Sequence, residues 1–519
     1  MPVIRGKRSL NVKICVKKSN SRKLLLIMKI GYARVSTDDQ NLDLQRERKS
    51  ELGQFMTSAS VANFMASLFT LKTLQSCRLL DAGAGIGSLS CAFIDRFSKG
   101  DFDFQSIEVA GYEIDDLLRA HLNKTLNSYS DKVNIRPQTF AGDFIKHAVR
   151  MCKYGSSGYT HAILNPPYKK INSNSEHRLL LREVGIETVN LYSAFVALAL
   201  ELIMNKSQMV AIIPRSFCNG PYYRSFREQI MQRAAICHIH LFESRNKVFK
   251  DDKVLQENII IMLERGAKQG DVTITTSVDD DFSNIKLNRY PFERVVMKDD
   301  PEKFIYIPTS TERNAIELST SIQYSLADIG IQVSTGPVVD FRLKSHLRGM
   351  PESGTVPLLY PGHFKSRSTQ WPNPDAKKPN AIQRNDETEK WLYPNGFYCV
   401  VKRFSSKEEK RRIVASVVDP SVFKDAEVIG FENHLNVFHK NKKGLPEPLA
   451  RGLALFLNTT SVDEHFRLFS GHTQVNATDL KLMKYPSKES LIAVGEWAIN
   501  LTNEPSQDLI DEKFKNLKS

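Results

Sequence analysis

Few folds accommodate residues 77–93, CRLLDAGAGIGSLSCAF: a short apolar strand, an acid, three alternate glycines and the start of a helix. Without Cβ atoms, Gly83, Gly85 and Gly87 let the backbone turn sharply and approach a bound nucleoside that a larger side chain would block. Such a turn belongs between a strand and a helix of a nucleotide-binding sheet, and dinucleotide-binding proteins use a similar one. From residue 51 onward apolar strands alternate with amphipathic helices, which predicts a mostly parallel sheet covered on both faces.

The first helix precedes that turn. Val61, Phe64, Met65, Leu68 and Phe69 recur at i, i+3, i+4, i+7 and i+8 as one buried stripe, with Ser58 or Ser60 as its cap. The run IEVAGYEID, residues 107–115, reads as a second strand ending in Glu113, whose carboxylate can accept both ribose hydroxyls of a nucleoside. That fits NAD as well as S-adenosylmethionine. Asp143, in AGDF, stands where a third strand would end; a contact to the adenine amine of a cofactor and a plain turn Asp both suit it.

Length and composition bound the rest. A chain of 519 residues exceeds what one hydrophobic core usually organises, so two domains with short extensions are expected. No apolar run approaches the roughly 20 residues that a membrane-spanning helix requires, which predicts a soluble, cytoplasmic protein. The net charge of +14 suits a polyanionic partner without identifying one. Cysteines 15, 77, 91, 152, 218, 237 and 399 form no Cys-x-x-Cys pair and have no His at ligand spacing, so reduced thiols packed as small hydrophobes are expected, and no metal.

Residues 1–27 carry eight Lys or Arg and no acid, the composition of a basic, disordered tail. Residues 28–47, MKIGYARVSTDDQNLDLQRE, resemble the opening strand and loop of a resolvase-type serine recombinase, with Arg34 and Ser36 matching its catalytic pair. The resemblance stops after Arg48, before the further arginines that such chemistry needs. A fragment inert for recombination is therefore expected at 28–48.

Residues 161–168 read HAILNPPY, an apolar strand running into Asn-Pro-Pro-Tyr. Two prolines fix φ and bar a helix, so the loop after Leu164 is rigid and the Asn165 amide is held in one place. With the glycine turn, the acid-ended second strand and Gly-Asp-Phe in this order and spacing, the chain resembles the gamma class of DNA adenine-N6 methyltransferases, modification partners of type II restriction enzymes. The resemblance spans about residues 51–490, continuing through NLYSAFVALAL (190–200), MVAIIPRSF (209–217) and LFESRNKVFKDDKVLQENIII (241–261). It departs at Ser58, where the family usually has Pro.

That resemblance implies an α/β fold: a class I S-adenosylmethionine-dependent catalytic domain at 49–300, Rossmann-like and mostly parallel, followed by an α+β target-recognition domain at 301–519. It implies S-adenosyl-L-methionine held by Thr57, Asp81, Gly83, Gly85, Glu113, Ile114, Asp143, Phe144 and Pro167. Catalysis would fall to Asn165, Pro166 and Tyr168, with Phe249 as a second ring against the flipped base. The partner implied is double-stranded DNA carrying a short palindromic site, methylated by a monomer that works alongside a restriction endonuclease without stable association. PLLYPGHFKSRSTQWPNP (357–374), IGFENHLNVFHKNKK (429–443) and FSGHTQVNATDLKLMKYP (469–486) resemble recognition-domain blocks, and the wording is that of a PstI-like branch, which would imply CTGCAG. Two other readings stand beside this one. One is a protein or RNA methyltransferase of the Asn-Pro-Pro-Tyr group, although the protein-glutamine enzymes that share the motif have far shorter chains; the other is a recombinase-like DNA protein or a combined nuclease-methylase, for which no nuclease carboxylate-Lys cluster is evident.

Overall fold

The apolar runs between residues 77 and 290 become the strands of one nine-stranded sheet: β1 (Cys77–Ala82), β2 (Ile107–Glu113), β3 (Ile135–Ala141), β4 (Tyr159–Leu164), β5 (Ile203–Pro214), β6 (Ala234–Phe242), β7 (Asn258–Arg265), β8 (Val272–Ser277) and β9 (Lys286–Tyr290). Their spatial order is β3-β2-β1-β4-β5-β7-β6-β8-β9. Strands β1 to β5 are parallel, whereas β7 runs antiparallel to both β5 and β6. This computed structural model describes residues 57–70, 76–155, 158–243, 257–313, 315–365, 367–423, 425–471 and 473–517, all within the unit Phe55–Ser519. The readings made above for residues 1–48 and for Phe249 lie outside the described residues.

Helices α1 (Ala59–Ser67), α2 (Ser88–Ser98), α3 (Asp116–Ser130), α4 (Phe144–Lys153), α5 (Glu176–Glu183), α6 (Leu191–Leu202) and α7 (Arg224–Arg233) accompany the sheet. Strand β4 is buried at every position, as a strand covered on both faces must be. Ten of the twelve residues of α6 are buried, which explains why NLYSAFVALAL is apolar all round instead of amphipathic. Ser58 caps α1, its side chain accepting from the Val61 amide. The helix ends at Ser67, short of the Leu68 and Phe69 included in the expected stripe, because the Leu68 amide turns back to the Met65 carbonyl and closes the last turn early. Phe69 is still core, edge-on to Phe93 with centroids 5.1 Å apart.

Beyond residue 320 the strands are short. One four-stranded sheet joins Gln332–Thr335, Leu435–His439, Tyr398–Lys402 and Ala415–Val418; a five-stranded one joins Leu347–Arg348, Ala381–Gln383, Thr355–Leu359, Val428–Phe431 and Leu392–Pro394. Helices α8 (Glu447–Leu457), α9 (Thr460–Phe469), α10 (Lys488–Ile499) and α11 (Gln507–Lys515) complete an α+β region. A Cβ built on Gly452 would lie 1.8 Å from the Leu491 carbonyl, so α8 and α10 approach backbone to backbone. The whole is the α/β architecture expected: a mostly parallel sheet followed by an α+β region. Among the described residues no helix is long and apolar enough to cross a membrane.

Candidate active site

Because β1, β2, β3 and β4 are parallel, their carboxyl ends share one edge of the sheet, and the chain order reverses between β1 and β4. That reversal opens the crevice in which open α/β sheets bind ligands. The loop leaving β1 enters it with Gly83 at φ +76° and Gly85 at φ +58°, a region that side chains rarely adopt. A Cβ on Gly85 would meet nothing within 4 Å, so open space lies beside it. A Cβ on Gly83 would lie 3.8 Å from Pro167 Cδ and 3.9 Å from the Asn165 carbonyl, which puts the glycine turn against the Asn-Pro-Pro-Tyr loop.

Two carboxylates frame this turn. Glu113, buried at the end of β2, accepts from the Gly85 amide at 2.8 Å and from the Asp115 amide at 2.9 Å, so the loop and the second strand are tied through one side chain. Asp81, at 0% exposure, accepts from the Ser90 hydroxyl at 2.5 Å through Oδ2, while Oδ1 has no hydrogen-bond partner among the described residues. Burial pushes the Asp81 carboxyl up to about 7 against the pull of Ser90. A buried polar atom left unpaired is costly and calls for a partner.

Asn165 follows β4 directly. Its Nδ2 donates to Thr57 Oγ1 at 2.9 Å, and its Oδ1 accepts from the Tyr168 hydroxyl at 3.2 Å. That hydroxyl also reaches the Ile212 carbonyl of β5 at 3.2 Å. Burial raises the Tyr168 phenol well above its ordinary range, so it stays protonated and acts as the donor. Its ring stands edge-on to Tyr192, centroids 6.0 Å apart, and Pro166 is buried. Thr57, Gly83, Asn165, Pro167 and Tyr168, spread over more than a hundred positions, thus meet in one place.

Other expected residues fall around this centre with different surroundings. Ile114 is 51% exposed just past Glu113. Phe144 is buried against Phe195 and Tyr112, with centroids 4.9 and 5.2 Å apart. Asp143 caps α4, accepting from the Ile145 amide at 2.8 Å, and its second oxygen pairs with His177 Nε2. Burial raises its carboxyl, but the hydrogen bond and charge of His177 outweigh that and hold it below the usual range. His177 lies on α5, 34 positions away, and nothing in the local sequence singled it out. Burial pushes the thiols of Cys152 and Cys218 up to about 11 and about 12, which leaves neither activated as a nucleophile.

Sequence reasoning also missed a charged junction at the same edge. Arg215, just past β5, pairs with Glu257 at 2.8 Å, both nearly inaccessible, and Lys407 of the C-terminal region reaches the same carboxylate oxygen at 2.9 Å. Arg215 also donates to the carbonyls of Arg467 and Leu468, each at 2.9 Å, at the carboxyl end of α9, where a cation opposes the helix dipole. These contacts seat the C-terminal region on the edge that carries Asn165.

Residues 19–249 match the Eco57I restriction-modification methylase family. The type II methyltransferase M.BsuBI of Bacillus subtilis is 53% identical over 478 residues, covering 91% of this chain and 95% of its own length. M.PstI of Providencia stuartii, also a type II methyltransferase, is 42% identical over 476 residues, covering 90% and 92%. Among solved structures, the type IIL restriction-modification enzyme MmeI in complex with DNA aligns with a TM-score of 0.49 at 11% identity, over 95% of this chain and 72% of that one. At 53% and 42% identity to those two relatives over nearly their full length, the chain belongs to the type II methyltransferases, the DNA-methylating, modification component of restriction-modification systems.

Proposed function

We propose that the chain transfers a methyl group from S-adenosylmethionine to the N6 amine of adenine at a specific site in duplex DNA. The observation that carries this reading is the Asn165 amide, held by Thr57 and Tyr168 at the end of β4 against the Gly83 turn. Residues 49–300 would form the catalytic domain and 301–519 the target-recognition domain, the protein acting as a monomer alongside its endonuclease.

The crevice fits the cofactor: a glycine turn with open space beside Gly85, a carboxylate oriented at the end of β2, and the unpaired Asp81 Oδ1. Thr57, Asp81, Gly83, Gly85, Glu113, Ile114, Asp143, Phe144 and Pro167 would hold it, and it supplies a methyl activated on a sulfonium. The adenine amine is a poor nucleophile, since its lone pair is delocalised into the ring. Extracting the base from the helix costs a few kcal/mol, which stacking on Tyr168 helps to offset. Asn165 Oδ1 and the Pro166 carbonyl accept the two amine hydrogens, turning the nitrogen toward tetrahedral geometry with its lone pair aimed at the methyl. No covalent intermediate on the enzyme is needed.

The test is incorporation of label from methyl-tritiated donor into duplex DNA, followed by digestion to nucleosides. Label in N6-methyl-2′-deoxyadenosine, lost by orders of magnitude in Asn165→Ala, supports the reading. Label in cytosine, or in added protein instead of DNA, would overturn it.

A further inference from the structure

The bases flanking the target must be read within reach of the active-site edge, and Lys407 marks where the C-terminal region meets it. Its Nζ donates to the carbonyl of Phe242, the last residue of β6, at 3.5 Å. Through its antiparallel pairing with β7, β6 runs parallel to β5 and β4, so Phe242 ends on the edge that carries Asn165. Three residues before Lys407 stands Phe404, 38% exposed and bridged to Gln474. Gln474 in turn lies three residues past Gly471, whose amide donates to Asn219 beyond β5 at 3.2 Å. Three residues span at most about 11 Å, so both side chains start close to the docking points.

The turn that joins Val428–Phe431 to Leu435–His439 completes the surface. The His434 ring packs on Phe404, centroids 4.7 Å apart, and the Arg403 guanidinium lies over the same phenyl ring at 5.8 Å. Arg403 ties the two segments together, donating to the Asn433 carbonyl at 3.1 Å and to Gln474 Oε1 at 3.3 Å. His434 Nδ1 sits 2.5 and 2.6 Å from the oxygens of the fully buried Glu432. A carboxylate only accepts, so Nδ1 carries the hydrogen and the Nε2 edge is the one presented to a ligand.

We propose that the turn 432–434, with Phe404 and Gln474, is a base-reading element for the substrate duplex. Lysine and arginine on phosphates hold DNA without distinguishing bases. An amide and an imidazole edge instead offer directed donors and acceptors of the kind that separate one base pair from another, and an exposed phenyl ring suits a thymine methyl. Gln474 and His434 are the specificity-determining residues, and Arg403 is a positioning residue that fixes both. This inference rests on duplex DNA being the substrate and deepens that reading.

The experiment uses the full-length protein. Sequencing of methylated positions in plasmid treated with wild-type enzyme defines its site, and duplexes carrying that site and each single-base change are then methylated by wild type, His434→Ala and Gln474→Ala. Each variant is expected to lose about ten- to hundredfold of its discrimination at one base pair and to keep it at the others, with binding of the labelled donor unchanged in both and the thermal midpoint unchanged in Gln474→Ala. Because Gln474→Ala removes no buried charge partner, it stands as an independent case if His434→Ala folds poorly. Wild-type discrimination at every position in both variants, or a uniform loss at all positions, would overturn the inference alone. A wild-type enzyme that methylates no duplex would overturn the DNA reading and this inference with it.

Discussion

Replacing Tyr168 by Phe separates the hydroxyl of this residue from its ring. The hydroxyl shares its single hydrogen between Asn165 Oδ1 and the Ile212 carbonyl, each at 3.2 Å, so its loss removes about one ordinary hydrogen bond, or about 1 kcal/mol. Asn165 keeps its bond to Thr57 at 2.9 Å and stays in the site, less sharply oriented. At 1.36 kcal/mol per decade, Tyr168→Phe should lower the rate of methyl transfer about fivefold. Tyr168→Ala also removes the stacking surface, worth about 1–3 kcal/mol per base, for a total of about 2–4 kcal/mol or roughly 30- to 900-fold. Single-turnover transfer of tritiated methyl to a duplex, with enzyme in excess, measures the chemical step without product release. Melting followed by circular dichroism confirms that both variants fold. If Phe proved as slow as Ala, or Ala as fast as wild type, the division of labour between hydroxyl and ring would be refuted.

Glu113→Gln leaves one of the two backbone amides at Gly85 and Asp115 without an acceptor, and should weaken S-adenosylmethionine binding about tenfold by titration calorimetry; an unchanged Kd would count against Glu113 as a cofactor ligand. Gly87→Ala places a Cβ 2.8 Å from Leu122 Cδ1 at φ +90°, and should cost about 1–3 kcal/mol, seen as a lower urea midpoint with an unchanged slope. The pairing of His177 with Asp143 makes stability depend on pH. The hydrogen bond that His177 donates to Asp143 raises the His177 imidazole, so its contribution is full below about pH 6.5 and is lost as pH rises through the raised value; the lowered Asp143 carboxyl contributes above about pH 3.8. His177→Asn should therefore lose more urea stability relative to wild type at about pH 5.5 than at about pH 9, and equal losses at both would show that the pair does not carry that dependence.

The residues that announced this site did so through local physics. Glycine at positive φ after an apolar strand, an acid closing the next strand, and two prolines behind Asn165 each act within a few residues of backbone, so Gly83, Glu113 and Asn165 could be read in order along the chain. The all-round apolar run 190–200 likewise announced a buried helix, although not what would bury it. The end of α1 was misjudged because Phe69 keeps the helical spacing while being buried by packing on Phe93. Past residue 320 the strands have two to five residues, too few for a period to show.

By itself, then, the sequence determined the parallel strands and the crevice at their carboxyl ends, because those depend on short-range backbone preferences and strand burial. Only the tertiary structure decided that Asp143 pairs with His177, that Glu257 lies between Arg215 and Lys407 across separations of 42 and 150 positions, and that Phe404, His434 and Gln474 share one surface. Side chains so far apart meet through the packing of whole elements, and no residue carries a local mark of the partner it will find.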